Sequence, residues 1–242
     1  MITTPEFVWD KGPSEWVFWD DFNDLSISAT AGAAKWWLTE TAAGATQLLS
    51  LTESCGVLNL TQTTNDNDVI SIIANSGVKL TDMKAGEPLL FGCRLKTADV
   101  DDVDLHVGMG IQDASMQASA PADYIAFRLQ EGGAGIDLVI SKDSVVQVID
   151  NFINMADGVY ARCFWAYSPA ASPDQDTGTL QYSFHSNGVV KRGTVDINGV
   201  FPDDVVIFPL VQAQNGSTDA DLTAIDWIYA KATRALWVDG TG

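Results

Sequence analysis

Glutamate and histidine are scarce in this chain, and basic side chains are heavily outnumbered. Only six of the 32 acidic residues are glutamate (Glu6, Glu15, Glu40, Glu53, Glu87 and Glu131), and the histidines are His106 and His185 alone. Glutamate suits exposed helix faces whereas aspartate suits turns, so this bias argues for strands and loops. Thirteen basic residues leave a formal net charge of -19. Nucleic acid and anionic membranes both require basic surface, so neither is an expected partner. No run of about 18 or more apolar residues marks a membrane span. No basic stretch followed by an apolar run opens the chain, so a secretory signal is not expected. The three cysteines, Cys55, Cys93 and Cys163, are odd in number and widely spaced. That pattern fits reduced thiols in a protein made in the cytoplasm better than a disulfide framework.

Reactive constellations are missing as well. There is no Gly-x-Ser-x-Gly elbow, no clustered Cys and His to hold zinc and no phosphate-cradling glycine loop. A Cys163/His106 pair is conceivable, but nothing in the spacing supports it. His106 is expected on the polar face of a strand and His185 beside a turn, both exposed.

What the chain does contain is alternation. Phe91, Cys93 and Leu95 alternate with Gly92, Arg94 and Lys96; Leu105, Val107, Met109 and Ile111 alternate with His106, Gly108 and Gly110. A period of two predicts two antiparallel strands with one buried face, joined by a solvated turn carrying Asp99, Asp101, Asp102 and Asp104. The same rhythm predicts a hairpin across Lys142-Asp143-Ser144 and a strand from Val159 to Tyr167. Asn187-Gly188 is the strongest hairpin signal present. About a dozen strands emerge, with no sustained helical period beyond one helical turn at Phe152 to Ala156. At 242 residues and 46% hydrophobic, the expectation is an all-β fold, a two-sheet antiparallel jelly-roll sandwich forming one domain over residues 16–233. An irregular N-terminal arm (1–15) and a C-terminal tail (234–242) flank it. The arm either docks on a partner or covers its own core.

The opening FWDDFNDLSISATAGAAKWW and the closing AIDWIYAKA resemble the first and last strands of concanavalin A-like jelly rolls, a superfamily that includes endo-β-glucanases, laminin G-like modules and legume lectins. The glucanases of that group carry Glu-x-Asp-x-x-Glu, and none of the six glutamates here has Asp two residues later. The paired carboxylates that glycoside hydrolysis needs are therefore missing, and no enzyme activity is expected. The resemblance implies a structural calcium near Asp226. Independently, Asp174-x-Asp176 has a partial calcium-loop spacing. No other cofactor is expected.

The Asp-rich, Ala/Gly/Ser/Thr-heavy loops look like those of virion proteins of tailed bacteriophages, which implies a non-enzymatic capsid decoration (cement) or head-surface protein, made in the host cytoplasm and located on the virion. Its partners would be the major capsid protein and sister subunits, with a homo-oligomer, a trimer by expectation, held by Phe7, Trp9, Leu236 and Trp237. The alternative is a carbohydrate-binding, lectin-like module in which Trp36, Trp37 or Trp165 meets a host-surface glycan. Large aromatics are also the preferred filling of a pleated core, so each tryptophan has a purely structural reading.

Overall fold

The computed structural model describes residues 15–23, 26–30, 32–40, 46–49, 56–83, 86–112, 123–170, 175–217 and 219–233. Phe7, Trp9, Cys55, Asp174, Leu236 and Trp237 lie outside these described residues.

The strands run in chain order as β1 (Glu15–Asp20), β2 (Ile27–Ser28), β3 (Trp36–Glu40), β4 (Thr46–Leu49), β5 (Leu58–Thr61), β6 (Val69–Ala74), β7 (Val78–Lys79), β8 (Leu89–Thr97), β9 (Val103–Gly110), β10 (Tyr124–Leu129), β11 (Gly135–Lys142), β12 (Val145–Asn154), β13 (Ala161–Pro169), β14 (Gly178–Ser186), β15 (Val189–Ile197), β16 (Val206–Asn215) and β17 (Leu222–Thr233). Among the described residues the one helical element is the 3-10 turn Leu80–Asp82. The helical turn expected at Phe152 to Ala156 is instead the end of β12, where Ile153 and Met155 are buried at alternate positions.

Two layers result, as the all-β expectation requires. The first sheet has the order β15-β14-β13-β8-β17-β5-β4, with β1 also paired to β17. The second has the order β12-β11-β10-β9-β16-β6-β3-β2, with β7 paired to β16. The short β2–β3 contact is parallel, so the second sheet is mixed at that edge. Inward side chains of both sheets form one core cluster, in which Phe91 stacks on Trp165 at 5.6 Å and Tyr167 lies flat on Phe201 at 3.6 Å. Cys93 and Cys163 are free, buried and directly opposite one another.

The two expected hairpins form through left-handed turn residues. Asp143 and Ser144 have φ of 50° and 66°, Asn187 and Gly188 have 48° and 75°, and this backbone matches the twist of the strands it joins.

The stretch 89–111 departs from expectation. β8 buries one face as its alternation predicts and β9 buries both, but they are not a hairpin: β8 pairs with β13 and β17, β9 with β10 and β16. The connection between them crosses from one layer to the other. Its aspartates are more than solvated turn residues, because they accept backbone hydrogen bonds: Asp99 Oδ1 from Asp101 N (2.9 Å) and Asp104 Oδ1 from Glu131 N (2.7 Å). Asp221 ties the crossing to β17, accepting from the Thr97 hydroxyl (2.7 Å) and Asp99 N (3.2 Å). Burial pushes its carboxyl up, and these donors offset part of that cost.

A second tie explains the Asp-Asp-Phe-Asn…Trp-Trp pattern. Asp20, at the end of β1 and 4% exposed, accepts from Trp36 Nε1 at 2.6 Å and from Phe22 N at 2.8 Å. Lys35 closes on the same carboxylate at 3.1 Å. Phe18 meets the Trp36 ring edge-on and Phe22 stacks on it. One carboxylate thus joins β1 of the first sheet to β3 of the second. Replacing Asp20 by Ala leaves two buried donors without an acceptor, and the expected loss in urea unfolding is about 2–4 kcal/mol. Asp20→Asn, which keeps one acceptor oxygen, should lose less; equal stability of the Ala variant and the parent would refute the tie.

Candidate functional site

Among the described residues, the outer face of the first sheet carries the exposed large aromatic rings, Trp19 and Phe164. β13 sends Cys163, Trp165 and Tyr167 inward, so Arg162, Phe164 and Ala166 must face out. Register then sets one row straight across the sheet: Trp19 of β1 lies opposite Tyr229 of β17, Tyr229 opposite Gly92 of β8, Gly92 opposite Phe164, Phe164 opposite Ser183 of β14, and Ser183 opposite Arg192 of β15. Residues from six strands meet here.

Two irregularities shape the row. Ile225 and Ile228 both enter the same core cluster although three residues apart, which a regular strand with alternating faces cannot achieve. The register shift between Ile225 and Trp227 supplies the extra residue, so neighbouring Asp226 and Trp227 both leave the core. Trp227 then lies beside Trp19 (stacked, 5.9 Å) and Phe164 (5.6 Å), while Tyr229 meets Trp19 edge-on. The second irregularity is Gly92. A Cβ there would sit 2.6 Å from the Phe164 ring, so glycine is what lets that ring lie across the sheet. Trp19 and Phe164 remain 43% and 41% exposed.

Beside these rings runs a groove of about 580 Å³, walled by Phe164, Leu90 and Tyr229 and edged by Gln181, Ser183, Arg192 and Thr194. It offers flat apolar faces next to amide, hydroxyl and guanidinium groups. Among its described lining residues there is no carboxylate, histidine or cysteine.

The residues expected from sequence fall elsewhere. Trp36 is fully buried and Trp165 is 2% exposed, so neither ring can stack on a sugar; both fill the core instead. Trp37 points out of the opposite sheet, half-buried against a small apolar cluster with Ile73 and Leu210. His106 is buried rather than exposed, with Tyr124 packed against its ring. His185 is exposed, as expected. The sites suggested for calcium already hold side-chain cations. Asp226 pairs with Arg94, whose guanidinium also lies 3.8 Å over the Tyr160 ring. Asp176 and Asp203 grip the Lys142 ammonium at 2.9 and 2.6 Å. Burial opposes that charge, but the two carboxylates more than offset it and push the Lys142 pKa up. Among the described residues no three acidic, histidine or cysteine side chains converge as a metal site.

Sequence reasoning missed Trp19, Phe164, Trp227 and Tyr229 as a group. Their strands are far apart in the chain, and the only local sign was the Asp-Trp-Ile-Tyr run in β17.

No protein-family model and no curated protein matches the chain. Solved structures do match. A protein of unknown function from Shewanella oneidensis MR-1 superposes with a TM-score of 0.62 and 16% identity, over 91% of this chain and 87% of that one. Peanut lectin gives 0.58 at 12% identity, over 91% and 98%. Arcelin-5, a lectin-like defence protein from Phaseolus vulgaris, gives 0.59 at 9% identity, over 91% and 100%. At these identities the likeness is one of fold: a lectin-like sandwich.

The Lys142 node allows a direct check. Lys142→Met leaves Asp176 and Asp203 facing each other without a cation and should cost about 3 kcal/mol in urea unfolding. Millimolar calcium should leave the Tm of the parent protein unchanged; a rise of several degrees would show that a carboxylate cluster takes the ion after all.

Proposed function

We propose that the protein is a carbohydrate-binding module whose sugar platform is the aromatic groove on the outer face of the first sheet. The observation that carries this reading is the exposed pair Phe164 and Trp19, braced by the half-buried Trp227 and Tyr229, beside the polar edge of Gln181, Ser183 and Thr194. A pyranose has an apolar C–H face and a rim of hydroxyls. Such a ring lies flat on an aromatic face while its rim exchanges hydrogen bonds with neighbouring amides and hydroxyls. That lectins are among the solved structures of similar fold adds support at the level of architecture only.

The tryptophans assigned to this role from sequence are replaced here by Phe164, Tyr229, Trp227 and Trp19. Attachment to a capsid lattice as a virion decoration protein draws its motive from loop composition and from Phe7, Trp9, Leu236 and Trp237. Nothing in the described surface adds to that motive, so the saccharide reading ranks first.

Glycan-array binding followed by calorimetry tests it. Phe164→Ala and Tyr229→Ala should each weaken retained glycans by about 10- to 100-fold, the scale set by losing a buried ring contact of roughly 1.5–3 kcal/mol. Trp37→Ala, on the opposite sheet, should leave affinity unchanged. Absence of any retained glycan, or binding indifferent to both groove substitutions, would overturn the reading.

A further inference from the structure

The chain carries a net charge of -19, yet the face that bears the groove gathers positive charge. Arg94, Arg162 and Arg192 lie on its outward rows, with Lys231 on β17. Arg162 stands directly opposite Arg94 on the neighbouring strand. Like charges facing across a strand pair are destabilising, and only one of the two is compensated, because Asp226 is taken by Arg94. Glu15 is taken likewise by Lys231 at 2.8 Å. Among the described residues no carboxylate forms an ion pair with Arg162 or Arg192. Asp196, the other acid on the outward side of β15, lies four residues beyond Arg192, about 13 Å along the strand.

Arg192 edges the groove itself, two strands from Phe164 in the same row. Neighbouring strands are about 4.8 Å apart, so roughly 10 Å of backbone separates them. A guanidinium on a long side chain spans much of that gap. Arg162 approaches from the adjacent row, two residues before Phe164 on the same strand. Screening at physiological salt limits the reach of charge to about 8 Å, so a ligand in the groove feels this local cluster more than the distant acidic turns.

We propose that the saccharide bound in this groove is anionic, a sugar bearing carboxylate or sulfate groups, with its ring on Phe164 and its acid group held by Arg192 and Arg162. This rests on the saccharide reading and narrows it to a class of ligand. A planar guanidinium can engage a carboxylate or sulfate through two parallel hydrogen bonds, which gives orientation as well as attraction.

The test uses the full chain and matched pairs of oligosaccharides: oligogalacturonate against its methyl ester, and chondroitin sulfate against its desulfated, methyl-esterified form, within a broader array of neutral glycans. At least one acidic member should bind about tenfold or more tighter than its neutral partner at low salt, and the gap should shrink as salt rises. Arg192→Gln and Arg162→Gln should each weaken the acidic member several-fold and narrow its advantage over the neutral one, with thermal unfolding confirming that both variants fold. Equal affinity within both pairs, or retention of neutral glycans alone, overturns the anionic assignment and leaves the saccharide reading standing. No retention of any glycan overturns both. Self-association in sedimentation that Phe164→Ala abolishes would also overturn both, since a second copy of the chain would then own the groove.

Discussion

Each strand in this sandwich must deliver every second side chain to one shared core, and that requirement governs what is left outside. Cys163, Trp165 and Tyr167 are committed to the interior, so Arg162, Phe164 and Ala166 have no choice of face. A slip of one residue would exchange the two sets and expose the Trp165 stack. The outward positions are free of packing demands. Nothing in the core asks for an aromatic ring at Phe164 or Trp19, and their exposure near two-fifths is unusual for rings of that size. The carboxylate of Asp20 helps hold the arrangement by linking the end of β1, which carries Trp19, to Trp36 in the opposite layer.

The groove is assembled from departures from regular strand structure. A glycine within a strand costs about 0.5–1 kcal/mol of backbone freedom, and Gly92 incurs that cost where the Phe164 ring needs room. A bulge interrupts the longest strand of the fold, and it does so where Trp227 must leave the core to meet Trp19 and Phe164. These irregularities lie on neighbouring strands, β8 and β17, and act on the same set of rings. Independent accidents of packing have no reason to coincide there.

The fold was largely readable from the chain, because alternation and turn chemistry are local. The buried faces of β8 and β9, the left-handed Asp143-Ser144 and Asn187-Gly188 turns and the strand β13 all follow from neighbouring residues. Partnership does not. Period-two alternation says which face of β8 is dry but not that its neighbours are β13 and β17, and a short acidic link looks the same whether it closes a hairpin or crosses between layers. The Trp36-Trp37 pair required one ring in and one out; only the Asp20 acceptor, contributed by another sheet, decides which. His106 was misplaced for a related reason, since a polar neighbourhood in sequence does not reveal that the outward face of β9 is itself covered. The site was the least legible part, because its row is drawn from six strands spread between Trp19 and Tyr229, and the bulge that admits Trp227 breaks the very period used to find strands.

Aspartate is concentrated where strands end, and several of these carboxylates accept hydrogen bonds from backbone donors, as Asp99, Asp104 and Asp221 do around the β8–β9 crossing. Their charge is a consequence of closing turns with the residue that does so best, and it accumulates at the two ends of the sandwich. Arg94 on the outer face of the first sheet is paired with Asp226, but Arg162 and Arg192 satisfy no such structural need among the described residues. Arg162 faces a like charge without a partner of its own, a position that a neutral side chain would fill at lower cost. Charge among the described residues is therefore unevenly placed: aspartate gathers in the turns, whereas the outer face of the first sheet presents Arg162 and Arg192 beside the exposed Phe164 and Trp19 rings. On the proposal of an anionic saccharide, this distribution would draw the ligand to the face rather than to the ends.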